Sequence, residues 1–365
     1  MANLVDYIEW RGDLSFRQSE FNEVDNLLLS TAAFVDLYGI ISPDPWGMPM
    51  KLSVCEEKYR EKYPEGRYYG LTIPAEMGNI FHKMAKSVRF RDIYVTYYCS
   101  DFNEKEGKQF GALTLVLPDN TIFISYRGTD DSITGWREDF NLSFTCPVPS
   151  QQAALEYLET IASFHRGDIR LGGHSKGGNL AVYAAAMCNP EVKKRIINAY
   201  SNDGPGFTSE FISSAAFKSM EKRVITYVPQ SSVIGMLLAH NEEYRVIEST
   251  NQTGLLQHDP LSWKVLGPSF VHLDSLSAMG MRHKESFKQL LDGMDNDHRR
   301  RFTDILFEII DATEAKTLTE LSDAKLKNAL IMIKAYNELE KDEKEELRNF
   351  IRSLVNISSE LKNHS

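Results

Sequence analysis

Residues 169–188 read IRLGGHSKGGNLAVYAAAMC, and this stretch decides the fold. It contains Gly173-His174-Ser175-Lys176-Gly177, a match to the pattern G-x-S-x-G. A short apolar run, residues 169–172, precedes the motif, and a run of small residues, 179–188, follows it. The first run predicts a strand and the second a helix, so we expect Ser175 on a sharp turn between the two.

A serine on such a turn is typical of a catalytic nucleophile. The strained backbone exposes its hydroxyl above the edge of the sheet, and Gly173 and Gly177 let strand and helix approach closely. The start of the helix adds unpaired N–H groups and the positive end of the helix dipole. We therefore predict that Ser175 is the nucleophile. The alternative is a glycine-rich turn in which Ser175 only caps the helix.

Segments of β-rich and helical sequence alternate around this motif. The predicted strands are residues 94–99, 110–117, 121–126, 169–172, 196–200, 223–227 and 244–247. The predicted helices between the later strands are residues 151–165, 179–188 and 209–220. The second and third strands are joined by the turn sequence Pro118-Asp119-Asn120, which predicts an antiparallel start. Strands that alternate with helices predict a parallel sheet. The fold class is therefore α/β, as a mostly parallel α/β-hydrolase sheet with helices on both faces.

The two ends of the chain lack the alternation of strands and helices and have a helical sequence pattern. Residues 1–92 are predicted to be mostly helical and to pack on the core, which comprises residues 93–280. Residues 281–365 have apolar positions every three or four residues, with charges between them. We interpret this C-terminal region as a solvated helical appendage that packs on the sheet domain.

Composition and charge exclude several classes of protein. The chain has 365 residues, of which 42% are hydrophobic and 25% charged, as in ordinary globular proteins. Its formal net charge of -10 disfavours nucleic acid as the main partner, because phosphate binding needs clustered Lys and Arg. No apolar run reaches the length of a transmembrane helix.

The N-terminus and the cysteines both bear on the compartment of the protein. No basic segment followed by an apolar run begins the sequence, so we expect no Sec signal and a cytoplasmic location. The four cysteines lie far apart, without zinc-site spacing, and are expected to be free buried thiols: Cys55, Cys99, Cys146 and Cys188.

A second motif, Tyr126-Arg127-Gly128-Thr129, ends a predicted strand ahead of the serine. Acyl transfer needs two N–H donors for the developing oxyanion. One comes from the residue after the nucleophile, here Lys176, and one from the loop after the third strand, where Thr129 lies. The hydroxyl of Thr129 could add a third donor. The alternative is an ordinary Gly-Thr turn.

The two motifs together resemble the class 3 (fungal-type) lipases, which have an aromatic-Arg-Gly-Thr/Ser strand followed by a Gly-His-Ser-x-Gly-Gly turn. The similarity covers roughly residues 93–270, and the chain looks more like a bacterial lipase-like family than like a secreted lipase. The resemblance implies an α/β-hydrolase fold and ester hydrolysis. Two positions depart from the pattern. Lys176 replaces an apolar residue, which puts an apolar acyl pocket in doubt, and residues 228–232 (VPQSS) lack the acid that these lipases carry there.

The base is expected after the nucleophile, since α/β-hydrolases follow the order Ser, Asp or Glu, His. His258 follows the last predicted strand by one loop, as the base requires. His272 and His240 are the alternatives.

Asp203 is the leading candidate for the acid, because it ends the predicted strand 196–200 at the carboxyl edge of the sheet. It could instead be a turn residue before Gly204-Pro205-Gly206. Asp259 is next to His258 but precedes Pro260, which is typical of an N-cap followed by the first helical residue. We therefore assign Asp259 a structural role.

These residues predict a serine hydrolase that cleaves a carboxylic ester or thioester through an acyl-serine intermediate. We expect no metal or organic cofactor and a small-molecule or lipid acyl ester as substrate. A peptidase or acyltransferase with the same triad is an alternative, as is an inactive scaffold that binds a protein partner. Residues 231–239, with Met236 and Leu237, predict either a buried helix that packs on the sheet or a wall or lid of the acyl pocket. The sequence does not indicate an oligomeric state.

Overall fold

The computed structural model describes residues 2–349 of the chain. Its strands are β1 (Met50–Lys51), β2 (Tyr94–Asn103), β3 (Lys108–Val116), β4 (Ile122–Tyr126), β5 (Ile169–His174), β6 (Ile196–Asn202), β7 (Val224–Pro229), β8 (Tyr244–Ile247), β9 (Val265–Leu266), β10 (Ser269–Phe270) and β11 (His272–Leu273).

Its α-helices are α1 (Leu4–Arg11), α2 (Glu23–Thr31), α3 (Leu52–Lys62), α4 (Met77–Lys86), α5 (Ile133–Asn141), α6 (Pro149–Phe164), α7 (Lys176–Met187), α8 (Pro190–Arg195), α9 (Ser209–Ser213), α10 (Ala215–Lys218), α11 (Ala278–Asp292), α12 (Asn296–Asp311), α13 (Leu318–Asp323) and α14 (Lys325–Glu338). Short 3-10 helices comprise Ala32–Phe34, Glu221–Arg223, Ile234–Met236, Leu256–His258 and Pro260–Ser262.

Within residues 2–349, nine strands form one sheet in the order β1-β2-β3-β4-β5-β6-β7-β8-β11. Strands β1 to β4 pair antiparallel, β4 to β8 pair parallel, and β11 pairs antiparallel with β8. The predicted antiparallel start leads into the parallel part at β4, where Tyr126 pairs with Gly173 of β5. The predicted α/β-hydrolase fold is confirmed.

Each face of the sheet has its own hydrophobic core, because successive strand residues point to opposite faces. Phe123 of β4 packs in a cluster with residues of α1 to α4. Its neighbours Ile122 and Ile124 pack in a second cluster with residues of α6 and α7. The helices therefore cover both faces of the sheet, as predicted.

Residues 209–220 differ from the single helix that their composition predicts. They form two short helices, α9 and α10, separated at Ser214. The Ser214 hydroxyl accepts a hydrogen bond from the Phe217 N–H and caps α10. A serine at this position starts a new helix because its side chain satisfies an N–H group that lacks a helical partner.

The C-terminal part of the described chain consists of helices. Side chains of α12 form a third hydrophobic cluster with Leu339 and Leu347. No helix within residues 2–349 is both long and apolar enough to span a bilayer. Of the four cysteines, Cys55 and Cys188 are buried as expected, whereas Cys99 and Cys146 are only partly buried.

Candidate active site

Ser175 occupies the turn between β5 and α7 in a strained conformation, with φ of 59° and ψ of -135°. Non-glycine residues rarely adopt such a positive φ, and residues held there are concentrated at functional sites. The turn is tight. A Cβ added to Gly173 would lie 2.2 Å from the carbonyl carbon of Gly177, and one on Gly177 would lie 2.1 Å from the Tyr126 oxygen. The two flanking glycines are therefore required by the packing, as the motif predicts.

Buried amides support this turn from behind. The Asn202 side chain donates to the Gly173 carbonyl at 3.0 Å, and the Asn26 side chain donates to Asn202 Oδ1 at 2.8 Å. Both side chains are fully buried, so each of these bonds is costly to lose. Sequence reasoning missed Asn26, although a polar residue within the apolar face of α2 was a signal for a buried contact.

His258 and Asp203 are in direct contact. Asp203 Oδ2 lies 2.6 Å from His258 Nδ1, and the Asp203 side chain is fully buried at the end of β6. Because an ionised carboxylate only accepts, Nδ1 donates, which leaves Nε2 of a neutral imidazole as an acceptor. The second carboxylate oxygen accepts from the Ser232 hydroxyl at 2.5 Å. Ser232 follows β7, within the segment where the sequence lacks the acid of the class 3 lipases.

His174 supports the segment that contains His258. From the sequence, His174 was identified only as part of the G-x-S-x-G motif. Its Nε2 lies 2.8 Å from the His258 carbonyl oxygen, to which it donates, and the two ring centroids are 4.4 Å apart. Burial lowers the pKa of His174 well below its usual range, so the ring stays neutral beside His258. His174 therefore orients the segment that carries His258 without adding charge.

The alternative residues lie elsewhere. His240 Nδ1 is 2.9 Å from a carboxylate oxygen of Glu242, and His272 Nε2 is 2.8 Å from Glu23 at the edge of the sheet. Neither of the two lines the cavity that contains Ser175. Asp259 accepts from the Leu261 N–H at 2.9 Å and caps the short helix Pro260–Ser262, as predicted.

Thr129 lies in the loop after β4, beside Ser175. A Cβ added to the preceding Gly128 would be 3.2 Å from the Ser175 Cβ. The Thr129 hydroxyl donates to Asp139 Oδ2 at 2.6 Å. A hydroxyl has one proton, and Thr129 donates that proton to the ionised Asp139 carboxylate. The expectation that the Thr129 hydroxyl is a third oxyanion donor is therefore corrected. The backbone N–H groups of Thr129 and Lys176 are then the candidate donors.

Burial raises the pKa of Asp139 to about 6, although Lys176 and the Thr129 hydroxyl favour its ionised form. One carboxylate oxygen, Oδ1, is buried without a hydrogen-bond partner and lies 3.9 Å from Lys176 Nζ. The Thr129 contact therefore depends on a carboxyl group that titrates near neutral pH.

The side chain of Lys176 is buried and fully bonded. Its Nζ donates to Glu138 Oε2 at 2.9 Å, to the Gln109 carbonyl at 3.0 Å and to Gln109 Oε1 at 2.7 Å. Glu138 is also fully buried, and its Oε1 accepts from the Ser150 N–H at 2.7 Å. The lysine that replaces an apolar residue is thus paired with Glu138 and adds no unpaired charge at the turn.

Comparison with known proteins gives the family. A family model described as Mbeg1-like matches residues 84–308. The chain belongs to the Mbeg1-like family. This match covers both motifs, the candidate triad and helix α11, and it agrees with the lipase-like fold that the sequence predicts. No curated protein matches the sequence significantly.

Solved structures similar to this Mbeg1-like protein include lipases. The native propeptide complex of Rhizomucor miehei lipase is 15% identical, with a TM-score of 0.36, over 60% of this chain and 78% of the lipase. A triacylglycerol lipase with a serine-protease-like triad is 14% identical, with a TM-score of 0.35, over 61% and 78% of the respective chains. M37 lipase is 14% identical, with a TM-score of 0.34, over 57% and 68%.

A cavity of about 1020 Å³ opens above Ser175 of this Mbeg1-like protein. Ser175, His258, Thr129 and Lys176 all line it. Most of the remaining lining is apolar and comes from four parts of the chain: residues 68–77, helix α5, residues 234–238 and helices α11 and α12. The candidate catalytic groups therefore share one large apolar cavity.

The structure separates the two residues that the sequence proposes for substrate contact. Leu237 lines the cavity, together with Ile234 and Leu238. Met236 instead packs in a buried cluster with Val228, Val246 and Leu276. The physical reason is that residues 234–236 form a single 3-10 turn, so neighbouring side chains point in different directions. The segment is part core and part cavity wall, and Met236 belongs to the core.

Proposed function

We propose that this Mbeg1-like protein is a serine hydrolase that cleaves a carboxylic ester or thioester through an acyl-serine intermediate. One observation carries the proposal: the strained Ser175 and His258 line the same cavity, and His258 is hydrogen-bonded to the buried Asp203. The apolar lining supports an acyl ester as substrate, because a peptide would bury polar amide groups against hydrocarbon. A cytoplasmic location stays an expectation from the sequence.

In the proposed acylation step, Ser175 Oγ attacks the ester carbonyl carbon while His258 Nε2 takes the hydroxyl proton. The Asp203 carboxylate stabilises the imidazolium that forms. The backbone N–H groups of Lys176 and Thr129 donate to the oxyanion. As the intermediate collapses, the bond to the leaving oxygen or sulfur breaks and His258 returns the proton to it.

Deacylation repeats the same chemistry with water as the nucleophile. His258 takes a proton from the water, the new C–O bond forms, and the carboxylic acid leaves as Ser175 regains its proton. An acyltransferase would use another acceptor in place of water at this step. An inactive scaffold would gain nothing from a strained serine that shares a cavity with the histidine of an Asp–His pair, and we therefore favour the enzyme.

Turnover of p-nitrophenyl butyrate tests the proposal. We expect Ser175→Ala and His258→Ala each to lower kcat by about 10⁴-fold or more, because members of a triad act as a unit. The matched control is Ser213→Ala, which removes an exposed hydroxyl on α9 and should keep full activity. Thermal unfolding of each variant checks the fold. A Ser175→Ala protein that is folded and as active as the wild type would reject the proposal.

A further inference from the structure

Helices α11 and α12, the first two of the C-terminal region, contribute to the candidate site as well as packing on the sheet domain. Several of their side chains line the cavity that contains Ser175: Phe287, Leu290, Leu291 and Met294 from α11 and its C-terminal end, and Phe302 and Leu306 from α12. All are hydrocarbon or thioether side chains. One whole wall of the cavity is therefore built from a region that follows His258 in the chain.

This wall is fixed to α5, the helix that also carries Asp139. Phe140 of α5 packs edge-on against Phe307 of α12, with ring centroids 5.6 Å apart. Arg299 of α12 donates to the Ser143 carbonyl at 2.8 Å and also donates to the Leu291 carbonyl. These bonds join the end of α11, the start of α12 and the end of α5, so the width of the cavity between them is defined.

Helix α11 is also held against the segments that support the candidate triad. His283 Nδ1 lies 3.2 Å from the carbonyl oxygen of Ser232, whose hydroxyl donates to Asp203. A Cβ on Gly254, in the loop that leads to His258, would be 2.7 Å from the His283 ring. The wall and the candidate catalytic groups therefore form one assembly.

The chemistry of the lining favours hydrocarbon. The two cationic side chains of Lys and Arg that line this cavity have partners: Lys176 pairs with Glu138, and the two terminal nitrogens of Arg299 donate to carbonyl groups, whereas its buried Nε has no hydrogen-bond partner among the described residues. The volume of about 1020 Å³ is at the upper end of the roughly 300–1,000 Å³ range of small-molecule pockets. A short acyl group would leave most of this space unfilled.

We propose that α11 and α12 form the acyl-binding wall of this enzyme and that Phe287, Leu291 and Met294 set the preferred acyl length. The substrate class is an ester or thioester of a medium or long unbranched acyl chain, which lies between α5 and the wall. This inference rests on the proposed function, and it adds the helices that contact the acyl chain and the acyl length that they select. Each methylene that the wall buries can raise kcat/KM by at most about fourfold.

The test compares p-nitrophenyl butyrate with p-nitrophenyl decanoate, both used as monomers in solution. For the wild type we expect kcat/KM to be at least about tenfold higher on decanoate. Leu291→Trp adds bulk to a half-buried wall residue and should lower the ratio of kcat/KM on decanoate to kcat/KM on butyrate by at least about tenfold. The matched control is Gln289→Trp, which introduces the same side chain on the exposed face of α11 and should leave both values within twofold of the wild type.

Two results would overturn the inference: a Leu291→Trp protein with the chain-length profile of the wild type, or an equal change in Gln289→Trp. Fluorophosphonate labelling shows whether each variant is folded and active. If Leu291→Trp is not labelled by the fluorophosphonate, the double variant Phe287→Ala/Met294→Ala replaces it in the test. This double variant widens the cavity, so its kcat/KM should be highest on acyl chains longer than decanoate. A double variant with the same preferred acyl length as the wild type would contradict the inference. Failure of the proposed function is distinct, because the wild type would then turn over neither ester.

Discussion

Asp203 reaches the candidate base from the end of β6, one strand earlier than the acid of the class 3 lipases that the sequence resembles. Its backbone has a φ of 52°, and its N–H donates to the Tyr227 carbonyl of the neighbouring strand. Ser232, at the later position, holds the carboxylate in place with its hydroxyl. Ser232 therefore lies where the class 3 lipases carry their acid, and in this chain it hydrogen-bonds the candidate acid instead.

This arrangement predicts different effects for two neighbouring acids. Asp203→Asn should lower kcat by about 10⁴-fold, because an amide cannot hold His258 in the correct tautomer with the same charge. Asp259→Asn should change kcat by less than about threefold, since Asn is as good an N-cap as Asp. Steady-state kinetics with p-nitrophenyl butyrate measures both. A large loss in Asp259→Asn together with a small one in Asp203→Asn would reverse the assignment of the acid.

The raised pKa of Asp139 predicts how the stability of the protein depends on pH. Its pKa is raised from the ordinary 3.8 to about 6 by burial, so the folded protein binds this proton more tightly than the unfolded chain does. The contribution of Asp139 to the free energy of unfolding should therefore decrease as pH rises from about 4 to about 6, and stay low above that. Asp139→Asn removes this titration but keeps an acceptor for Thr129.

The measurement is the difference in thermal midpoint between the wild type and Asp139→Asn at several pH values, which cancels the other titrating groups. We expect the wild type to lose stability relative to the variant between pH 4 and 6. A difference that is constant over this range, or that changes in the opposite direction, would contradict the raised pKa.

Much of the candidate site could be predicted residue by residue because its spacing follows the order of the chain. Ser175 was indicated by its motif, Asp203 by its position at a strand end, and His258 by the loop after the last predicted strand. His174 and Asn26 could not be assigned in this way. Their partners are 84 and 176 residues away in the sequence, and only the packed sheet brings them into contact.

At the scale of elements, the ion pair Lys176–Glu138 joins the start of α7 to α5. Gln109 of β3 and Ser150 of α6 bond to the same two side chains, so four elements meet at one buried pair. Both candidate oxyanion donors lie beside these elements. The network therefore holds the start of α7 and the helix that carries Asp139 in a fixed relation.

Lys176→Met should accordingly destabilise the protein by about 3–5 kcal/mol, because it leaves the Glu138 carboxylate buried without a cation. The matched control is Lys194→Met, which breaks the exposed pair with Glu191 and should cost about 0–1 kcal/mol. Urea unfolding of both variants measures the two free energies. Equal losses would show that the buried pair contributes no more than a surface pair.

The boundaries of elements were predictable where apolar runs end at polar turns, and less so where polar residues continue a strand. Strands β5 and β6 extend through His174 and Asn202, which pair with each other beyond the apolar runs. At residues 209–220 an element is shorter than the apolar pattern predicts, because Ser214 caps a second helix within a continuous pattern. In both cases, hydrogen bonds outweigh the hydrophobic pattern.

At the scale of the whole molecule, the cavity is the feature that the sequence could not supply. It is formed by segments from residue 34 to residue 306, and no local pattern shows that they meet. The amphipathic pattern of α11 and α12 correctly predicts helices but not what their apolar faces cover. The division of the chain at residues 92 and 280 stays a prediction, since residues of α1 to α4 share a core with the sheet.

The proposed activity requires that this cavity presents a reactive serine to an acyl group. The most direct measurement is labelling with a fluorophosphonate, followed by mass spectrometry of the modified peptide. We expect one adduct, on Ser175, that is absent from Ser175→Ala and forms far more slowly in His258→Ala. An adduct on a different serine, or none on a folded wild-type protein, would contradict the proposed role of Ser175.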